Sequence, residues 1–150
     1  MSTTTSLRSR VDSSPLVLGL AVGDLLALST FVVAGAQSHG ERPFAHPEVV
    51  LGALAPFLLA WWAASLVGGL YTKDAVLGPR RALSWALPAW VVTVVIGQAL
   101  RATPLFRGGF AVTFVLVTLV VGGTLVVGWR ILLASVLARR RAGPREGPLS

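Results

Sequence analysis

Four long apolar stretches, at residues 15–36, 47–71, 81–101 and 109–137, alternate with short polar segments along this chain. The first, PLVLGLAVGDLLALSTFVVAGA, holds a single charge, Asp24, near its middle. A helix of that length rises about 33 Å, enough to cross the roughly 30 Å hydrocarbon core of a bilayer. Its eleven Leu, Val and Phe residues each favour insertion by about 0.3–0.6 kcal/mol, against roughly 2.5–3.5 kcal/mol for the acid. The pattern predicts an all-α polytopic membrane protein, a bundle of four transmembrane helices.

The polar positions punctuate these spans. Ser14 and Pro15 form an N-cap and a first helical residue. Pro47, Pro79 and Pro104 stand near the other three helix starts, where a missing N–H is tolerated. Pro56 and Pro88 fall inside spans and predict kinks. Residues 1–14 are Ser/Thr-rich and read as a disordered tail, residues 15–138 as the transmembrane domain, and residues 139–150 as a second, basic tail. Arg8, Arg10 and Ala34-Gly35-Ala36 imitate a signal peptide. The apolar run between them exceeds the usual 7–15 residues and contains Asp24, so it is expected to be retained.

Composition narrows the class. The chain is 54% hydrophobic and 13% charged, about half the charge of a typical soluble domain. The net charge of +7 sits at the ends of apolar spans, without interleaved aromatics, which argues for topology and against nucleic acid. Arg8, Arg10, Lys73, Arg80, Arg81, Arg139, Arg140, Arg141 and Arg145 fall on one side, and Arg42, Arg101 and Arg107 on the other. Arg130 lies in the fourth span near its inner end. By the positive-inside rule both termini are expected in the cytoplasm of a multi-pass plasma-membrane protein.

Small residues predict how the spans pack. Gly19, Gly23 and Ala27 form one ridge and Ala60, Ala64 and Gly68 another, and the two are expected to meet. Asp24 lies about 100° around from Gly23 and points into an interhelical space. Thr93 and Gln98 complete the expected intramembrane polar site, with Thr113, Thr118 and Thr124 as further partners. Trp61, Trp62, Trp85, Trp90 and Trp129 read as interface belt or packing.

The Gly23-Asp24 pair, the Ser38-His39-Gly40 exit, the Gly78-Pro79-Arg80-Arg81 segment and the Arg-terminated last span carry a resemblance over residues 15–135. The chain resembles a family of uncharacterised small prokaryotic membrane proteins, a domain of unknown function seen in archaea and actinobacteria. The resemblance implies four spans and a cell-membrane address, and no substrate.

Three constellations are candidates for chemistry. Asp24 is a proton relay or a structural hydrogen-bonding acid. His39, Glu41, His46 and Glu48 repeat an H-x-E spacing that offers metal ligands. Arg80, Arg81, Arg139, Arg140 and Arg141 form a basic surface for anionic lipid headgroups. With no cysteine, no D-x-x-D, no H-E-x-x-H, no G-x-S-x-G and no P-loop, no enzyme activity and no cofactor are expected. The expected function is a non-catalytic membrane module packing with itself or another membrane protein. The alternatives are a minimal oligomeric permease or ion-conducting unit using Asp24, and a binder of a pigment, quinone or isoprenoid beside Trp61, Trp62 and Trp90.

Overall fold

The computed structural model describes residues 11–106 and 108–143. Four helices are long and apolar enough to cross a membrane. They are α1 (Pro15–Ser38), α2 (Pro47–Val67), α3 (Pro79–Arg101) and α4 (Val112–Arg141). Pro15, Pro47 and Pro79 each occupy the start of their helix, and the Ser14 hydroxyl accepts the Val17 N–H at 3.4 Å. Pro104 instead lies in a turn, and α4 begins at Val112. Pro56 and Pro88 sit inside continuous helices.

Helix α2 packs chiefly on α3 and α3 on α2 and α4, while α1 lies against both α2 and α4 and closes the ring. Only 28–39% of each apolar span is buried, while Leu18, Leu26, Leu59, Val95, Val120 and Leu132 all point outward. An exterior as apolar as the interior suits lipid as the surrounding solvent, since a soluble monomer keeps such patches small. The larger core cluster joins Leu28, Phe31, Phe57, Trp61, Trp90 and Val126, with Trp61 and Trp90 edge to face at 6.0 Å. A smaller one joins Val17, Leu20, Tyr71, Val76, Ala82 and Ala134 at the end of the bundle where α1 and α3 begin and α4 finishes.

In α4 a π-helical turn at Thr118–Gly122 opens the regular ladder, and the Leu119 carbonyl accepts the Trp90 indole N–H at 3.1 Å. Such turns free a carbonyl for a side-chain donor.

Three further segments depart from the sequence expectations. Helix α2 stops at Val67 and not at residue 71, because Gly69 takes φ +68°, a conformation that only glycine adopts at little cost. The chain then folds back: Leu70, Tyr71, Ala75 and Val76 are buried beneath the bundle end, with a 3₁₀ turn at Lys73–Val76. Residues 11–14 are not a loose tail. The Asp12 N–H donates to the Tyr71 carbonyl at 3.0 Å, and the Asp12 carboxylate accepts the Lys73 N–H at 2.8 Å. Residues 139–141 continue α4 as helix, their cations favourably placed at its C-terminus. The tail expectations for residues 1–10 and 144–150, and the placement of Arg107, lie outside the described residues.

Candidate functional site: a caged ion pair

Asp24 is fully buried, and so is Arg130 at 1% exposure. Arg130 grips it with both edges of a bidentate fork: Nε donates to Oδ1 at 3.0 Å and Nη2 to Oδ2 at 2.6 Å. The third guanidinium nitrogen, Nη1, donates to the Leu70 carbonyl at 3.1 Å. Oδ2 also accepts the Trp61 indole N–H at 3.1 Å and the Tyr71 hydroxyl at 3.0 Å. The Trp61 and Tyr71 rings each lie 5.3 Å from the guanidinium carbon. Both carboxylate oxygens and all three guanidinium nitrogens are therefore engaged, which is what two charges need where water is scarce.

Four segments build this cage. Depth along the helices explains the pairing: Asp24 lies nine residues from the start of α1, about 14 Å in, and Arg130 eleven residues from the end of α4, about 17 Å in. Those helix ends share one end of the bundle, so the opposite charges arrive at the same level. The folded-back connection after α2 supplies Tyr71 and the Leu70 carbonyl. Burial, and then the Asp24 charge, push the Tyr71 phenol above its ordinary value, so it stays a donor.

Close packing next to the pair needs Gly23. Trp129, adjacent to Arg130, lies against it so tightly that any Cβ would meet the indole ring. Gly19, Gly23 and Ala27 line a groove with Leu125 and Trp129 of α4. The first small-residue ridge therefore faces α4, and the expected meeting with Ala60, Ala64 and Gly68 does not occur. The reason is rotational: turning Asp24 inward carries the glycine row toward α4. Ala60 is buried, Ala64 partly so, and Gly68 lies exposed beyond the end of α2.

The other expected members of the polar site stand apart from Asp24. Thr93 is buried and donates to the Ala89 carbonyl at 2.7 Å. Thr118 and Thr124 make the same four-residue back-bond, to Phe114 and Val120. Gln98 is 3% exposed and neither of its amide atoms has a partner. Thr93 and Gln98 lie about 21 Å and 29 Å along α3 from the end that Asp24 is nearest, too deep to reach it. Thr113 lines a cavity at the far end.

His46 Nδ1 and Glu48 Oε1 are 3.1 Å apart on the exposed start of α2, whereas His39 caps the end of α1. Among the described residues no three His, Asp or Glu side chains gather as metal ligands, so the four do not form the expected site. Arg80, Arg81, Arg139, Arg140 and Arg141 are exposed, with Arg81 4.8 Å over the Trp85 ring. Of the three tryptophans expected beside an apolar ligand, Trp61 and Trp90 are wholly enclosed and Trp62 is exposed.

The family described as "Protein of unknown function (DUF3054)" matches residues 21–133. The chain belongs to the DUF3054 family. The matched region of this DUF3054 chain contains Asp24, Trp61, Tyr71 and Arg130. No curated protein and no solved structure matches it.

Sequence reasoning did not pair Arg130, Trp61 or Tyr71 with Asp24. Arg130 carried the available signal. It is a cation inside an apolar span at the depth of Asp24, and two opposite charges at one level of a bundle seek each other.

Proposed function

We propose that this chain is a non-catalytic multi-pass membrane module in which Asp24 and Arg130 act as an internal clasp. The enclosure of the pair carries this reading: both carboxylate oxygens of Asp24 are hydrogen-bonded, to Arg130, Trp61 and Tyr71, and the group is fully buried, whereas a relay acid needs a path to water or to a second titratable group. The clasp ties α1 and α4 to α2 and its folded-back connection, which sets helix register.

The reading extends to surroundings. Arg80 and Arg81 stand at the start of α3, and Arg139, Arg140 and Arg141 at the end of α4, on the end of the bundle that holds the clasp. That grouping supports a cytoplasmic position for both termini in the cell membrane, with the guanidinium groups meeting anionic headgroups. Open space beside Gly19 supports helix packing with a second copy or another membrane protein.

Reconstitution in liposomes tests the clasp against conduction. Under a pH gradient the protein should pass no more protons than empty vesicles at any pH from 5 to 8. A flux that Asp24→Asn abolishes would overturn the reading in favour of a permease or proton-conducting unit.

A further inference from the structure

At the end of the bundle remote from the clasp, a cavity of about 460 Å³ opens between α1, α2 and the start of α4. Phe31, Val32, Ala53, Phe114 and Val117 give it apolar walls. Phe31 lies eight residues before His39, so the walls run about 12 Å below the mouth. The volume falls within the roughly 300–1,000 Å³ of small-molecule pockets.

The mouth is polar and has an unmet need. Arg101 borders the cavity with its guanidinium carbon 4.2 Å over the Phe114 ring. Among the described residues its one side-chain hydrogen bond is long, Nη2 to the Gly108 carbonyl at 3.4 Å, and its buried Nε has no partner. One turn deeper on the same face of α3, Gln98 is buried with both amide atoms unpaired. A guanidinium half withdrawn from water beside an apolar void calls for a counter-charge. His39 and Glu41 also line the mouth. Both are exposed, so the Glu41 carboxylate is hydrated and screened while Arg101 dominates within the cavity.

We propose that this cavity binds one hydrocarbon chain of an anionic single-tailed lipid, with the anionic head on Arg101. A neutral quinone or pigment would leave the guanidinium unanswered. A hydrated inorganic anion would leave the apolar walls unused. The proposal does not depend on the clasp, whose residues lie at the other end of the molecule.

The test uses the full chain purified in a non-ionic detergent, with a diazirine-bearing palmitate as probe and peptide mapping of the adduct. Label is expected on residues 31–41 and 111–117. Palmitate should outcompete methyl palmitate by about tenfold, the worth of one charge-assisted hydrogen bond. Arg101→Gln should erase that acid-over-ester preference, and Ala53→Phe should block labelling. Label scattered over the lipid-facing surface, or equal competition by acid and ester, would overturn the proposal. Mapping and competition on the unsubstituted chain decide the matter even where a variant fails to fold.

Discussion

The two ends of this bundle each hold an arginine near its apolar interior, and they treat it in opposite ways. Arg130 is enclosed, met by a carboxylate on two nitrogens and a carbonyl on the third, and flanked by two aromatic rings. Arg101 is half-buried, has one long hydrogen bond and borders a void. The first end is closed by the connection after α2, whose Leu70 and Tyr71 bond the pair, and Asp12 in turn bonds Tyr71 and Lys73 of that connection. At the second, among the described residues, Arg101 meets the Gly108 carbonyl and the Phe114 ring and no carboxylate. A charge within lipid is either answered by the fold or left for something outside it, and the same residue type serves each purpose here.

The sharpest break of this contrast is to remove one partner of the pair. Arg130→Met or Asp24→Leu alone should cost about 3–5 kcal/mol, because the remaining charge is buried without a counter-ion. Combining them should recover most of that loss. Unfolding in mixed micelles would read both, and a double variant no more stable than the singles would deny the clasp its purely structural role.

Next in size is Gly23→Ala. The added methyl group must displace Trp129, an overpacking cost of about 1–3 kcal/mol that the same assay would register. Tyr71→Phe should cost about 1.5–3 kcal/mol, the worth of a hydrogen bond to a charged group. It also carries a pH signature. The folded phenol holds its proton above the ordinary value of 10.0, so the contribution is complete below pH 10. Above it the unfolded chain ionises first and stability falls. That alkaline decline should shrink in Tyr71→Phe. The smallest effect should come from Arg101→Gln, less than about 1 kcal/mol, as for other partly exposed charges. A loss as large as that at Arg130 would erase the distinction between the two ends.

Much of the fold was legible along the chain because lipid imposes a simple rule: the backbone must satisfy itself, so apolar runs of this length become helices. Pro15, Pro47 and Pro79 mark three helix starts for the same local reason. The candidate site was legible only in part. Asp24 announces itself as an acid among Leu and Val, and an inward-facing position follows from its cost. Its partners do not follow, since Trp61 lies 37 residues away, Tyr71 47 and Arg130 106. Thr93 and Gln98 have suitable chemistry but the wrong depth.

What the residues alone determined is the solvent, the number of spans and the presence of a buried acid, since each depends on transfer energies summed over local stretches. What only the tertiary structure decided is who answers that acid, which face of α1 meets α4, and which arginine is left bordering a cavity. Those outcomes depend on how four helices are rotated and on how the Gly69 turn folds Tyr71 back beneath them, quantities fixed by packing between segments distant in sequence.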